Sequence, residues 1–109
     1  MSRRRNSNEI VVIYWRDIPT HVNGVMGREK HQVPLKKRFE TAVDRAAMKS
    51  GMSEANNYIG EVRRESFAAG DDPKTEAEAY AAELDAKFTL ELLDSYVANG
   101  GFSPDGGEQ

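Results

Sequence analysis

The sequence predicts a small two-layer α+β domain, with about three strands in the order β-β-α-β-α and helices packed on one face of the sheet. Three observations predict it: an apolar run at residues 10–15, a helical apolar period at residues 35–47, and a second helical period that begins near residue 75. A chain of 109 residues fits one domain. We therefore expect a single domain over residues 9–102.

The first strand is the run Ile10-Val11-Val12-Ile13-Tyr14-Trp15, which is mostly β-branched and aromatic. A strand of this composition is typical of burial on both faces. It runs into Arg16-Asp17 and is expected to stop before Pro19.

The segment after Pro19 favours a hairpin. Asn23-Gly24 is a strong turn signal, and Gly27 can adopt a positive φ. The polar residues 29–33 are expected to return as an exposed edge strand. Residues 9–33 are thus predicted to form one hairpin with a long tip.

The first helix is predicted to start at Pro34, because proline suits the first helical position. Gly51 is expected to cap its C-terminal end. Its apolar face consists of Leu35, Phe39, Ala42, Val43, Ala46 and Ala47.

Residues 56–67 fit two structures. A strand from Asn57 to Phe67 is preferred, since a third strand would pair with the apolar first strand and make a more stable sheet. The alternative is a helix capped by Ser53 that runs through Tyr58 and Val62.

The last helical region is predicted to open with a capping box, Thr75-Glu76-Ala77-Glu78. After the shift in apolar register near Thr89, a kink or a second short helix is expected, and Phe102 is expected to fold back onto the core. The apolar positions are Ala77, Ala81, Leu84 and Phe88, followed by Leu90, Leu93 and Val97.

The polar chain ends and the lack of cysteine limit the classes of protein to which this chain can belong. Residues 1–8 and 103–109 are too polar to offset their ordering entropy and are predicted to be disordered tails. Without cysteine, disulfides, zinc fingers and thiol catalysis by this chain are excluded. Apolar runs are short of the roughly 20 residues of a membrane span, so no membrane is expected and the cytoplasm is the predicted location.

No motif predicts a catalytic residue. The sequence has no phosphate-binding glycine loop and no nucleophile elbow. His21 and His31 lack the clustered carboxylates of a metal site, so neither a metal nor a cofactor is predicted. These observations indicate a protein without catalytic activity.

Charge is unevenly distributed. Residues 1–64 hold 13 Lys/Arg and 7 Asp/Glu, whereas residues 65–109 hold 2 and 11. This polarity suits either docking to a charged partner or two solvated regions of opposite charge.

Arg63-Arg64 with Arg28 could bind an anionic ligand, and with Arg3-Arg4-Arg5 they resemble a nucleic-acid footprint. A pI near 5.4 and the lack of interleaved aromatic residues disfavour nucleic acid.

Trp15, Arg16 and Asp17 have a structural and a functional interpretation. In the structural one, Arg16 pairs with a helix carboxylate and Asp17 caps the turn before Pro19. In the functional one, the three residues form a recognition patch, since tryptophan and arginine are favoured in binding hot spots.

A family resemblance spans most of the predicted domain. Residues 12–19 (Val-Ile-Tyr-Trp-Arg-Asp-Ile-Pro) are its most specific motif, and the pattern continues to Gly100-Gly101. The other matching positions are Gly27-Arg28, Arg38-Phe39, Asp44-Arg45-Ala46-Ala47-Met48, Tyr58 and Arg63-Arg64. The chain resembles the small bacterial "virulence factor" domain family, and is similar to a domain of the conserved virulence factor C proteins.

The resemblance implies no catalytic residues. It implies that the protein binds other proteins, and that it acts in association with folate- and corrinoid-dependent methyl transfer in bacterial one-carbon metabolism. We therefore expect an accessory or adaptor protein without catalytic activity, and an exposed edge strand that permits a homodimer without requiring one. A small anionic-ligand binder or enzyme of the same pathway is the alternative, and a nucleic-acid binder the third. The predicted partner-binding residues are Trp15, Arg16, Asp17, Gly27, Arg28, Arg63 and Arg64.

Overall fold

The computed structural model of the chain describes residues 8–51 and 60–104. Its elements are β1 (Glu9–Trp15), β2 (Ile18–Met26), β3 (Glu29–Pro34), α1 (Lys37–Lys49), β4 (Val62–Ala68), α2 (Pro73–Lys87) and α3 (Leu90–Ala98). The α+β class is confirmed. The described residues hold four strands and three helices, where the sequence predicts about three strands and the order β-β-α-β-α.

The sheet is antiparallel with strand order β3-β2-β1-β4. β1 is internal, and Ile10, Val11, Val12 and Trp15 are buried, as its composition predicts. β4 pairs with β1, which confirms the strand prediction from Val62 onward. Gly60 and Glu61, predicted to belong to this strand, form a turn instead. Residues 57–59 of the predicted strand, and the Ser53 cap of the alternative helix, lie outside the described residues.

Two tight turns replace the predicted long-tipped hairpin. Arg16-Asp17 joins β1 to β2, and Gly27-Arg28 joins β2 to β3. Asn23-Gly24 lies inside β2, so the predicted turn there is wrong. Tertiary packing overrides the local turn signal, because β2 pairs with both β1 and β3 and Gly24 lies directly under α2.

β1 ends at Trp15, before Pro19 as predicted, but Pro19 itself belongs to the next strand. It lies near the start of β2, opposite Tyr14, where the register of the β1–β2 pair shifts after Ile13. Such an irregularity accommodates a residue that cannot donate to the ladder.

One row of positions runs across all four strands and faces α2: His31, Gly24, Ile10 and Phe67. The His31 ring lies 3.3 Å from the Glu78 carboxylate, and Phe67 packs edge-on against Tyr80 at 5.4 Å between ring centroids. The N-terminal end of α2, at Pro73, lies over Gly24. α2 therefore crosses the sheet on the face to which this row points.

α1 starts three residues later than predicted. Pro34 is the last residue of β3, and the Leu35 amide donates to the Thr20 carbonyl, which keeps the chain extended up to Lys36. Gly51, with φ +77°, follows the helix end as predicted. The helical residues of the predicted apolar face are buried: Phe39, Ala42, Val43, Ala46 and Ala47.

α2 is capped by Asp72, three residues before the predicted cap Thr75. The Thr75 hydroxyl and amide donate to the Asp72 carboxylate, and these hydrogen bonds lower the pKa of Asp72. Glu76 accepts instead from the Gly70 amide at 2.8 Å. Thr89 caps α3, so the second short helix is confirmed.

One apolar cluster joins β1 and β2 to all three helices. Within it Phe88 packs against both Phe39 and Tyr96, at centroid distances of 5.8 and 5.2 Å. Asn8 and Ser103, assigned from sequence to the tails, both hydrogen-bond to the domain. In the part of the chain that the structure describes, no helix has the length and apolar character needed to cross a membrane.

Candidate functional site

The β1–β2 turn places Arg16 at a junction of three chain segments. Its φ of +55° belongs to the left-handed region that tight hairpin turns require. Nη1 donates to the Gly100 carbonyl at 2.7 Å and to the Ser50 hydroxyl at 3.0 Å, and Nε lies 3.2 Å from the Glu61 carboxylate. Only 11% of the side chain is exposed. Arg16 thus connects the end of α1, the turn before β4 and the turn after α3.

Two aromatic rings flank this guanidinium. Its Cζ lies 5.0 Å from the Trp15 ring centroid and 4.7 Å from that of Phe102. Phe102 is 45% exposed, so the prediction that it folds onto the core is wrong. Phe102 instead covers a cation, an arrangement that favours arginine over lysine.

Asp17 binds the C-terminal segment and β4. One carboxylate oxygen accepts from the Ser103 amide at 2.8 Å, and the other lies 3.2 Å from Nη1 of Arg63. Arg63 also donates to the Arg16 carbonyl, pairs with Glu65 at 3.2 Å, and stacks on Tyr14 at 4.5 Å. We call Trp15, Arg16, Asp17, Arg63 and Phe102 the Arg16 cluster.

The structural interpretation of Arg16-Asp17 needs two corrections. The Asp17 carboxylate binds Ser103 and Arg63, and does not cap the turn before Pro19. The carboxylate that pairs with Arg16 belongs to Glu61, in the turn before β4, and not to a helix. Sequence alone could not find it, because Arg16 and Glu61 become neighbours only when β4 pairs with β1. The paired glycines Gly100-Gly101 were the one local signal of a close approach there: Gly101 has φ +96°, and a Cβ on it would lie 2.6 Å from the Trp15 ring.

The predicted partner-binding residues occupy three separate places. Trp15, Arg16, Asp17 and Arg63 lie together, although Trp15 is buried and cannot touch a partner directly. Gly27-Arg28 turns at the opposite end of β2, next to the start of β1. Arg64 follows Arg63 in β4 and so points to the opposite face of the sheet.

Part of the uneven charge is matched inside the molecule. Three cations of the basic first part of the chain pair with acids of α2 and α3: Arg38 and Lys36 with Asp85, and Arg45 with Asp94. Among the described residues, no cluster of three or more His, Asp or Glu side chains could hold a metal ion. Part of the charge asymmetry therefore joins α1 and the segment before it to α2 and α3.

Tyr14 offers a pH test of this region. Burial, the neighbouring Tyr80 and Glu65 raise the pKa of Tyr14 to about 12 against the opposing effect of Arg63. Because its folded pKa is raised, Tyr14 contributes its full stabilisation below about pH 10, the pKa of an unfolded tyrosine. This contribution is lost as the pH rises toward 12. We expect the free energy of unfolding, measured in urea from about pH 9 to about pH 11, to fall more steeply in the wild type than in Tyr14→Phe. Parallel curves would contradict the assignment.

Comparison with known proteins identifies the family. The family model described as "Virulence factor" matches residues 13–97, more than three quarters of the chain. The chain belongs to this family. No curated protein and no solved structure matches it. In this virulence factor family member the matched segment holds both turns and all of β4, whereas Phe102 lies beyond it.

Proposed function

We propose that this chain is an accessory protein without catalytic activity, and that its partner is a protein that adds a strand to β4. The observation that carries the proposal is the state of β4. Its seven residues are all exposed, it pairs with β1 along one edge, and no described strand lies along its other edge. An edge of this kind is a template for an extended segment of another chain.

The backbone of β4 shows which groups a partner strand would meet. The Arg16 amide donates to the Glu61 carbonyl, and the Ala69 amide donates to the Asn8 carbonyl. The odd-numbered residues of β4 therefore direct their backbone N–H and C=O groups toward β1. In an antiparallel pair the intervening residues direct their N–H and C=O groups to the other side. Val62, Arg64, Ser66 and Ala68 therefore present four amides and four carbonyls at the free edge.

The side chains along this edge suit a heterologous partner. Val62 and Phe67 are 41% and 45% exposed, and arginines lie between them. Aromatic and arginine side chains are favoured in binding hot spots. Two β4 strands paired antiparallel about Glu65 would place the two Glu65 carboxylates opposite one another, which disfavours that register for a second copy of this chain. Pairing about Arg64 would oppose the two Arg64 side chains but would bring Arg63 opposite Glu65, so charge does not exclude that register.

The pathway part of the proposal, bacterial one-carbon metabolism of folate and corrinoid methyl groups, rests on the family resemblance. The geometry gives less support to the anionic-ligand alternative. Arg16 and Arg63, two of the arginines that would bind such a ligand, are already paired with Glu61, Asp17 and Glu65.

A matched pair of substitutions at Ser66 tests strand addition. Ser66→Pro removes an outward amide without removing a β1–β4 hydrogen bond, whereas Ser66→Ala keeps that amide. We expect immobilised wild type and Ser66→Ala to retain one stoichiometric partner from an extract of the source cell, identified by mass spectrometry, and Ser66→Pro to lose it. The free energy of unfolding of Ser66→Pro should stay within about 1 kcal/mol of Ser66→Ala.

Two results would refute the proposal. Retention of the partner by Ser66→Pro would exclude strand addition at β4. A wild-type chain that captures no partner, or that turns over a one-carbon substrate unaided, would exclude the accessory role itself.

A further inference from the structure

A cavity of about 400 Å³ opens between α1 and the end of the sheet that carries the β1–β2 turn. This volume falls in the range of small-molecule sites, roughly 300 to 1,000 Å³. Its lining comes from all four strands, α1 and the segment before α1, and includes Trp15, His21, Lys36, Glu40, Val43 and Val62.

Most of this wall is apolar or aromatic. Trp15 and Val43 belong to the buried core, while Val62 is 41% exposed and places an aliphatic side chain on the wall. An aliphatic side chain that the fold leaves open to solvent is available to a ligand in the cavity. The cavity therefore accounts for one of the exposed apolar residues.

His21 supplies a polar group whose hydrogen-bonding role can be worked out. The Thr20 hydroxyl donates its single hydrogen to the Ile13 carbonyl at 3.1 Å. Toward Nδ1 of His21, 3.1 Å away, that hydroxyl can then only accept, so Nδ1 carries the hydrogen. Nε2 of the neutral ring is left as an acceptor, and the described residues provide it with no hydrogen-bond partner.

The charges around the cavity are balanced. Lys36 lies 3.7 Å from the Asp85 carboxylate, and Glu40 lies 4.0 Å from the Lys37 ammonium. Burial, with a contribution from Lys30, lowers the pKa of His21 below its ordinary 6.5, so the ring is neutral at physiological pH. A charged ligand would lose its hydration here without gaining a counter-ion.

We propose that this cavity binds a compact, uncharged, mainly apolar molecule whose single N–H or O–H group donates to Nε2 of His21. The site shares Val62 with the edge of β4, but its polar group, His21, lies on β2, so its ligand chemistry does not depend on the proposed partner protein.

Three probes of similar size test this chemistry on the full chain: phenol, anisole and benzoate. Phenol has the donor, anisole lacks it, and benzoate carries a negative charge. We expect saturable NMR shifts of the cavity residues with phenol, about fivefold weaker binding of anisole, and no saturable shifts with benzoate. The fivefold difference in Kd corresponds to the free energy of one hydrogen bond.

The two histidines of the chain provide a matched control. His21→Phe should abolish the preference for phenol over anisole, while His31→Phe should keep it, because His31 lies on β3 beside α2 and does not line the cavity. Equal binding of phenol and anisole by the wild type, persistence of the preference in His21→Phe, or saturable binding of benzoate at the same residues would overturn the proposal. Absence of saturable shifts with all three probes would overturn it as well.

Discussion

Replacing Gly24 by alanine is expected to lower the free energy of unfolding by about 3 kcal/mol or more. An added Cβ would lie 2.4 Å from the Pro73 carbonyl oxygen, 2.8 Å from its carbon and 3.2 Å from the Ala77 Cβ. Two of these atoms are helix backbone and cannot rotate away, so α2 would have to move off β2. Because the first turn of α2 packs directly on β2, that movement would also open the core around Ala77.

Gly27 is the matched control for this substitution. Its φ of +61° makes alanine strained there, but a Cβ would have no atom within 4 Å. We expect Gly27→Ala to cost about 1 kcal/mol, from backbone strain alone. Urea unfolding of both variants measures the difference, and equal losses would show that the close approach of α2 to β2 does not limit the residue at position 24.

Replacing Arg16 by alanine is expected to destabilise the fold by about 3 kcal/mol. The substitution removes two hydrogen bonds from a charged donor, the contact with Glu61 and the stacking between Trp15 and Phe102. The Glu61 side chain is 36% exposed and would be rehydrated, which keeps the loss below that of a fully buried ion pair.

Arg16→Gly separates the side chain from the backbone. It loses the same contacts as Arg16→Ala, but glycine adopts a φ of +55° without strain. We expect Arg16→Gly to be about 1 kcal/mol more stable than Arg16→Ala and still clearly less stable than the wild type. A glycine variant as stable as the wild type would mean that the guanidinium contributes nothing to the fold.

The Arg16 cluster could be predicted only in part. Tryptophan and arginine at the end of an apolar strand indicated a special position, and four of the seven predicted partner-binding residues do lie together. Ser50 and Glu61 carried no local signal, and Gly100 carried only that of its pairing with Gly101. They reach Arg16 only because the end of α1, the start of β4 and the turn after α3 meet at one point.

The sequence by itself determined the elements whose signal is local. Burial on both faces of β1, the apolar face of α1 and the glycine end of α1 each follow from neighbouring residues, because periodicity and φ preference act within one element. Strand register and turn position depend on the free energy of contacts between different elements. The Asn23-Gly24 signal yields to β2 because the pairing of β2 with both β1 and β3 and the approach of α2 to Gly24 outweigh a local turn preference. The free edge of β4 and the cavity beside α1 were likewise decided only by tertiary structure: β4 is an edge strand because it pairs with the distant β1, and the cavity is lined by residues that are distant in the chain.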